Sequence, residues 1–281
     1  MTNIGIVLHH HRPEIYALVE RALNWCKDCG VRVRMVNVDA ELIGHPEFGV
    51  LENEFADGLD LCVSFGGDGT MLRATHLVVS HQVPLLGINA GDLGYLAEID
   101  PDQLELALSR WRAGELLVEE RMMIEVLNGK GESLGVALNE AVIERAESGH
   151  MVSLVASIGD RRFTTYKADG LIVASPTGST AYSLSAGGPV VEPDFQALIV
   201  VPVAAHMMFN RPLILAPSTE VRLEVEGYRS AMVTLDGRSG AILEPGDEVV
   251  VRRADMKTRL LVTGSRDFHA VLKEKFGLTD R

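Results

Sequence analysis

Basic residues are scarce in this sequence, which has 26 Lys and Arg against 39 Asp and Glu and a formal net charge of −13 at pH 7. Nucleic-acid binding depends largely on Lys and Arg side chains that neutralise phosphates, and the chain has no basic run. The composition therefore argues against a general polyanion binder. Any phosphate ligand has to be bound locally, by a few groups.

Long hydrophobic runs are also missing. The longest, residues 197–205, is far too short to cross a bilayer. Residues 1–3 lead directly into a predicted strand, without the apolar core of a signal peptide. We therefore expect a soluble, cytoplasmic protein that has no membrane or nucleic-acid partner.

Only three cysteines occur, Cys26, Cys29 and Cys62, which are too few for a disulfide framework. Cys26 and Cys29 form a C-x-x-C pair near the end of a predicted helix, where packing is favoured over a redox or zinc role. The triplet His9-His10-His11 has no matching Cys or His cluster elsewhere. It is expected to form a loop at the edge of a sheet rather than a metal site.

The first part of the chain alternates between strand and helix patterns. With 281 residues, of which 47% are hydrophobic, the chain is long enough for two domains. Strands are predicted at 4–8, 31–38, 59–65 and 84–88, and helices at 13–29, 70–80 and 101–112, with 41–58 as a mobile connection. Such alternation indicates a parallel sheet, whose ligands bind beyond the carboxyl ends of the strands.

From about Leu117 the pattern becomes all-β. Hairpins are predicted around Asn128-Gly129 and Gly159-Asp160, and residues 221–226 alternate strictly between apolar and polar. We expect stacked sheets here, followed by a helix over 268–276 that docks on one of the domains. The predicted organisation is 1–116, 117–255 and a tail over 256–281.

The segment Gly66-Gly67-Asp68-Gly69-Thr70 lies between a predicted strand and a predicted helix. That geometry directs unpaired helix N–H groups at an anion, and glycine lets a phosphate approach the main chain. The segment is neither a P-loop nor G-x-G-x-x-G. A carboxylate such as Asp68 suits removing a proton or holding Mg²⁺. The alternative is an ordinary tight turn with a helix cap.

Two further segments carry polar groups at strand ends. Asn139-Glu140 offers an amide beside a carboxylate, which can bind a ribose or a carboxamide, although a surface Asn-Glu pair is the alternative. Residues 167–170 precede a short strand and a segment, 175–189, that is rich in serine, threonine and glycine. Its hydroxyl groups and predicted helix start favour binding of a polar ligand, where Tyr182 could stack on a base or ribose. The alternative is a surface loop.

Together these segments resemble the NAD kinase family. The resemblance covers residues 66–70, 87–89, 93–96, 139–140, 169–170 and 177–188, in the family's order. Diacylglycerol and sphingosine kinases, and more loosely the 6-phosphofructokinases, are similar only in the first of these. The resemblance implies a Rossmann-like parallel α/β domain, then a β-sandwich-like domain, with the C-terminal tail packing back on the first.

The resemblance also implies residue roles. Asp68 would be the general base, and Gly66, Gly67, Gly69 and Thr70 would form the phosphate loop. Contacts to substrate or nucleotide are expected from Asp68, Gly69, Arg73, Asn139, Glu140, His150, Lys167, Asp169, Thr177, Thr180, Ala181, Tyr182, Ser183, Leu184, Ser185 and Arg238. Two positions depart from the family pattern: Arg238 stands where many relatives carry glutamine, and Asp92 where Asn or His is commoner.

The activity implied is phosphorylation of NAD⁺ at the 2′-hydroxyl of its adenosine ribose, with ATP as donor and a divalent cation, most simply Mg²⁺. A homodimer or homotetramer is also implied. A lipid kinase would need an acyl-chain groove and basic residues facing a membrane, neither of which is evident. A non-catalytic module that senses NAD(H) is the other alternative, and an assay for NADP⁺ formation separates all three.

Overall fold

The computed structural model describes residues 1–91, 93–264 and 267–278. They form two compact units, one of residues 1–120 with 258–281 and the other of 121–257. Within the described residues, no helix is long and apolar enough to cross a membrane. Asp92, one of the two departures from the family pattern, lies outside the described residues.

The first unit contains the predicted parallel sheet. Its strands run in the order β3-β2-β1-β4-β5, and the end of a later strand, β17 (Glu248–Val262), pairs in parallel with β5. The strands are β1 (Asn3–Leu8), β2 (Arg32–Val36), β3 (Gly49–Val50), β4 (Leu61–Gly66) and β5 (Leu85–Asn89), and the helices are α1 (Glu14–Asp28), α2 (Asn37–Leu42), α3 (Asp68–Val78) and α4 (Leu104–Ala113). All residues of β4 and β5 are buried, as expected for central parallel strands.

Helices α1 and α4 pack together through the spacing of their apolar residues. Ile15, Val19 and Ala22 of α1 lie in one core cluster with Leu104 and Leu108 of α4. An ion pair of 2.6 Å joins Arg21 to Glu105 across the two helices. Gly114 ends α4 with a φ of +72°, a conformation that glycine adopts without strain.

The segment after β2 differs from the prediction. Strand β2 ends at Val36, and α2 begins at once, where the sequence indicated a strand continuing to residue 38. Residues 41–58 are not simply a mobile connection, because β3 within them pairs in parallel with β2, Met35 opposite Gly49. The prediction was wrong because it inferred a loop from the glycine and proline content of this segment alone. Here Pro46 begins a short 3₁₀ turn that leads into the edge strand.

The second unit consists of two antiparallel sheets. One has the order β13-β12-β11-β8-β15-β16, and the other contains β10-β9-β14-β17 together with the hairpin β6-β7. The strands are β6 (Leu117–Asn128), β7 (Ser133–Ala137), β8 (Glu140–Arg145), β9 (Val152–Ile158), β10 (Arg161–Ala168), β11 (Gly170–Ala174), β12 (Leu198–Val203), β13 (Leu213–Leu215), β14 (Val221–Glu226), β15 (Ala231–Leu235), β16 (Arg238–Leu243) and β17 (Glu248–Val262). Ile143 and Val173 of one sheet share a core with Leu154 and Leu223 of the other.

Both hairpins and the alternating strand are confirmed. The chain turns between β6 and β7 after Asn128, whose side-chain oxygen accepts from the amides of Lys130 and Glu132. Strands β9 and β10 pair antiparallel around Gly159. One short helix, α5 (Tyr182–Ser185), interrupts the described part of this unit.

The C-terminal segment belongs to the first unit, as the resemblance implied. The last part of β17 pairs with β5, Leu260 opposite Leu85. Helix α6 (Phe268–Lys275) follows, capped by the Asp267 carboxylate, which accepts from the amide of Ala270 at 2.8 Å.

Candidate active site

The glycine turn lies at the carboxyl edge of the parallel sheet. Strand β4 ends at Gly66, which is paired with Asn89 at the end of β5. Helix α3 begins two residues later, at Asp68. The amides of Thr70 and Met71 donate to the carbonyl of Gly67, whereas the amides at the very start of a helix have no partner within it. The turn therefore presents donors and a helix dipole at the sheet edge where ligands bind.

The three glycines of this turn differ in whether the fold itself requires glycine at that position. A Cβ at Gly66 would lie 2.3 Å from Thr70 Oγ1, so the fold itself requires glycine there. A Cβ at Gly67 or Gly69 would meet no heavy atom of the described chain within 4 Å, and neither residue has a left-handed φ. The fold does not need glycine at those two positions. Open space over the main chain there is what a closely approaching phosphate requires.

The carboxylate of Asp68 is held by a neighbouring loop of the same unit. Its Oδ2 accepts from the amide of Tyr95 and its Oδ1 from the amide of Leu96, both at 2.9 Å. Gly94 lies so close that a Cβ would be 2.3 Å from Asp68 Oδ1. Each carboxylate oxygen can accept a further bond. The side chain is thus fixed in one orientation while retaining the capacity to accept a proton.

Arg73, a predicted nucleotide contact, is engaged within the protein. Its two terminal nitrogens bind both carboxylate oxygens of Asp39, at 2.9 and 2.5 Å, and one of them also donates to the carbonyl of Leu8. Asp39 is fully buried and also lies 2.7 Å from the ring of His10. The pair ties α3 to α2 and to the end of β1. A contact of Arg73 with a nucleotide stays a prediction.

In the second unit, Asn139 and Glu140 are positioned by Asp236. The Asp236 carboxylate accepts from the amides of Leu138, Asn139 and Glu140 at 2.8, 2.7 and 3.1 Å. From the other side, the amide of Ser175 donates to the carbonyl of Asn139 at 2.8 Å. The backbone of this predicted binding segment is therefore fixed before any ligand arrives.

Glu140 is a buried carboxyl group with 7% of its surface exposed, and its Oε2 has no partner in the described structure. Burial, and next the negative charge of Asp236, raise the pKa of Glu140 to about 7, while a hydrogen bond from the Tyr182 amide opposes the shift. Thr177 Oγ1 and Ser183 Oγ are likewise buried without a partner. Unpaired buried polar atoms are rare in folded proteins, and a ligand is one way to satisfy them.

The segment from Thr177 to Ser185 forms a 3₁₀ turn followed by α5. Ser179 is used by the fold, because its hydroxyl donates to the carbonyl of Val191 and accepts from the amide of the same residue. Tyr182 keeps 40% of its surface exposed. Burial, and then the charges of Glu144 and Asp169, raise the pKa of its hydroxyl. The structure thus brings this segment together with Glu140 and Asp169.

The second unit also carries predicted residues whose side chains are paired within the protein or exposed. Asp169 forms an ion pair with Arg145 at 3.2 Å. His150 and Arg238 are exposed. Lys167 lines a cavity of about 190 Å³ whose remaining wall is formed by Met151, Ser153, Glu226, Gly227, Tyr228 and Arg229.

Gly178 is required by the contact between the two predicted binding segments. A Cβ there would lie 2.1 Å from the carbonyl oxygen of Asn139, so one backbone has to move. Overpacking of this kind costs about 1–3 kcal/mol. We expect Gly178→Ala to weaken NAD binding about tenfold, measured by calorimetry. Gly129→Ala is the control, because its Cβ would make only an ordinary contact of 3.5 Å. Equal affinities of the two variants would contradict this role for Gly178.

Sequence reasoning missed three groups that position the site: Asp236, Asp39, and the loop amides of Tyr95 and Leu96. Asp236 has a positive φ of 49° in the turn Asp236-Gly237. An aspartate before a glycine between two strands is a turn signal, but it does not name the amides that the side chain binds. Backbone donors such as those of Tyr95 and Leu96 leave no mark in the sequence.

No group of three or more His, Cys, Asp or Glu side chains in the described residues is arranged to hold a metal ion. The three cysteines are free thiols, and burial raises the pKa of Cys26 to about 12. Mg²⁺ usually binds through one or two carboxylates together with substrate phosphates, not in an all-protein cage. The Asp68 carboxylate therefore fits a cation that enters with a phosphate substrate.

A carboxylate at the start of a helix, between open glycines at the carboxyl edge of a parallel sheet, is an arrangement that suits a nucleotide-dependent phosphotransferase. Residues 4–116 match the family described as ATP-NAD kinase N-terminal domain, and residues 138–263 match the ATP-NAD kinase C-terminal domain. The chain belongs to the ATP-NAD kinase family.

Related proteins match this chain in sequence over nearly its whole length. The chain is 39% identical over 284 residues to an NAD kinase of Heliobacterium modesticaldum, with 98% of each chain covered. It is 36% identical over 279 residues to an NAD kinase of Desulforamulus reducens, with 98% of this chain and 97% of the relative covered. These identities extend the family assignment across both units.

Solved structures show the same fold. Yeast NADH kinase complexed with NADH superposes with a TM-score of 0.91 at 25% identity, over 100% of this chain and 89% of that one. An NAD kinase from Archaeoglobus fulgidus in complex with ATP gives 0.77 at 24% identity, over 98% of each chain, and shows the fold alone. The predicted fold class and family are confirmed. The chain is a kinase that phosphorylates NAD with ATP to give NADP.

Proposed function

We propose that Asp68 is the general base of this reaction and removes the proton from the 2′-hydroxyl of the adenosine ribose. The observation that carries the proposal is the fixed orientation of its carboxylate, which two loop amides hold at 2.9 Å. Phosphoryl transfer needs little covalent chemistry from the protein, so alignment and charge neutralisation supply most of the rate. As the proton leaves, the ribose oxygen attacks the terminal phosphorus of ATP, the bond from that phosphorus to the bridging oxygen breaks, and ADP departs.

The glycine turn binds phosphate in this proposal. Gly67 and Gly69 leave space over the main chain, and the amides at the start of α3 donate to phosphate oxygens. When bound, Mg²⁺ supplies positive charge that neutralises the transferring phosphoryl group. With so few basic side chains, backbone amides have to provide much of the remaining electrostatic stabilisation.

The second unit binds the dinucleotide in this proposal. Asn139 and Glu140 offer an amide and a carboxyl group on a backbone fixed by Asp236. Unpaired atoms of Glu140, Thr177 and Ser183 support the assignment, because a polar ligand would satisfy them. The other proposed contacts are Gly69, Arg73, His150, Lys167, Asp169, Thr180, Ala181, Tyr182, Leu184, Ser185 and Arg238.

We also propose a homodimer or homotetramer in the cytoplasm. Exposed aromatic rings support self-association: Phe163, on the edge strand β10, and Phe209 are 43% and 38% exposed and lie 5.6 Å apart. The three free thiols agree with a reducing compartment. Sedimentation velocity of the native protein tests the oligomer, and a monomer at micromolar concentration would contradict it.

An assay with ATP and NAD⁺ tests the activity. NADP⁺ is detected with a dehydrogenase that accepts only NADP⁺. We expect steady NADP⁺ formation that requires added Mg²⁺. Binding of NAD⁺ with no NADP⁺ formed would instead support a module that only senses NAD(H).

Glu140 is expected to make stability depend on pH. Its pKa is raised from 4.5 to about 7 in the folded protein. The folded state therefore binds the Glu140 proton more tightly than the unfolded state does. The stability that this proton contributes is lost as the pH rises from about 4.5 to about 7. We expect Glu140→Gln to match the native protein at about pH 5 and to be more stable by up to about 3 kcal/mol at about pH 8.

Urea unfolding at both pH values, without NAD, measures this difference. The exposed Glu147 provides the matched control, since Glu147→Gln removes a charge from a solvated position. A constant difference between Glu140→Gln and the native protein across this range would show that Glu140 is not protonated in the fold.

A further inference from the structure

The loop that holds Asp68 is itself held by the C-terminal segment. Tyr95 and Leu96 donate their amides to the Asp68 carboxylate. The same loop continues through Glu98 to Ile99, which forms an isolated bridge with Ile88 of β5. All of these residues and the C-terminal helix α6 belong to the first unit.

Helix α6 contacts the Tyr95 side chain through two residues, Phe268 and Lys275, which lie about two helical turns apart. The rings of Tyr95 and Phe268 lie 6.1 Å apart between centroids, tilted by 39°. Lys275 places its Nζ 4.7 Å from the centre of the Tyr95 ring. An aromatic pair and a cation over a ring face are both attractive. The Tyr95 side chain is thus fixed by both ends of α6, while its own amide binds Asp68.

The other end of the loop is anchored independently. Leu96 and Ala97 are 7% and 1% exposed. Glu98 accepts from the amide and the hydroxyl of Thr263, directly after β17. Burial, and next the charge of Asp68, raise the pKa of the Tyr95 hydroxyl, which agrees with a ring close to that carboxylate. The loop amides therefore cannot shift without disturbing a contact to the C-terminal segment.

We propose that Tyr95 is a positioning residue, through which Phe268 and Lys275 of α6 fix the orientation of the Asp68 carboxylate. The proposal rests on the proposed role of Asp68 as the general base. A base displaced by about 1 Å can lose up to about 10²-fold in rate. Loosening α6 is therefore expected to slow phosphoryl transfer and to leave substrate binding unchanged, because α6 acts on the base and not on the ligand.

The test measures single-turnover phosphoryl transfer at saturating ATP and NAD⁺, together with the affinity for each substrate. Lys275→Met is expected to reduce the transfer rate roughly two- to fivefold, and Phe268→Ala roughly two- to tenfold. Affinities should stay within about twofold, well below the tenfold that 1.4 kcal/mol represents. Lys275→Arg, which keeps the cation over the ring, should restore the native rate.

Two matched controls lie on the same segment. Lys273→Met makes the same charge change two residues before Lys275. Phe276→Ala truncates a phenylalanine that is 53% exposed. Both should transfer phosphate at the native rate. Thermal unfolding of every variant shows whether a rate change merely follows lost stability, and Lys275→Met is the decisive variant because Lys275 is exposed.

The outcomes separate this inference from the proposed function. If Asp68→Asn is inactive while Lys275→Met and Phe268→Ala keep native rates, the positioning role is wrong and the base assignment stands. Weaker NAD⁺ binding at an unchanged transfer rate would also overturn it, because Tyr95 would then be a substrate contact. If Asp68→Asn keeps a native rate, the base assignment itself is wrong.

Discussion

Asp68→Asn is expected to lower turnover about 10²–10⁴-fold, the usual contribution of a positioned general base, while NAD⁺ still binds. The amide has nearly the same shape as the carboxylate but cannot take up the ribose proton. It also presents an NH₂ group to one of the two loop amides that now bind Asp68, so its orientation is disturbed as well. NADP⁺ formation measures the first effect, and calorimetry with NAD⁺ measures binding.

The control for this substitution is Asp102→Asn, which removes an exposed carboxylate of the same unit. It should retain native turnover. A rate for Asp68→Asn within a few-fold of the native rate would remove Asp68 from the role of base. Loss of NAD⁺ binding in Asp68→Asn would show that the residue acts in binding rather than in proton transfer.

Asp39→Asn is expected to lower the free energy of unfolding by about 3 kcal/mol, in the range for breaking a buried ion pair. Asp39 is fully buried, and its carboxylate binds both terminal nitrogens of Arg73. The substitution preserves the shape but leaves the guanidinium without its countercharge. It also weakens the connection between α2 and α3, the helix that begins at Asp68.

Urea unfolding of a double-mutant cycle checks this expectation. Arg73→Met in the Asp39→Asn background should recover part of the loss, because the unpaired, partly buried charge is then removed. Glu41→Gln, at an exposed position of the same helix α2, is the control and should change stability little. A loss below about 1 kcal/mol for Asp39→Asn would contradict the expectation, because a surface ion pair contributes as much.

The regular part of the fold could be predicted because it depends on local pattern. Continuous apolar runs located β4 and β5, and their ends placed Asp68 and Asn89 at the carboxyl edge of a parallel sheet. The end of β2 could not be predicted in the same way. The strand-like pattern of apolar residues extends past Val36 to Val38, but in the structure α2 begins at Asn37 and carries Asp39, which binds Arg73, a contact that the local pattern does not contain.

The sequence predicted which residues belong to the candidate site, but it did not predict which groups hold them in place. Asp68, Asn139 and Glu140 were predicted from motifs, and their roles in binding and catalysis stay predictions. The groups that hold them are distant in sequence: Tyr95 lies 27 residues from Asp68, and Asp236 lies 97 residues from Asn139. A single sequence contains no pattern that links such pairs.

Arg73 has a partner within the protein that the sequence did not reveal. The sequence places it one turn into α3, where a cation next to a phosphate loop suggests a ligand contact. The structure shows that Asp39 already neutralises it. A buried carboxylate 34 residues away cannot be inferred from the helix that carries the arginine.

Phosphoryl transfer in Asp68→Ala, measured with and without added formate, shows whether a carboxylate at this position takes up the ribose proton. The truncated side chain leaves room for a small carboxylate between the amides of Tyr95 and Leu96. In a single turnover with saturating ATP and NAD⁺, we expect almost no NADP⁺ without formate and a rate that rises with formate concentration. A native rate in Asp68→Ala without formate would contradict this expectation.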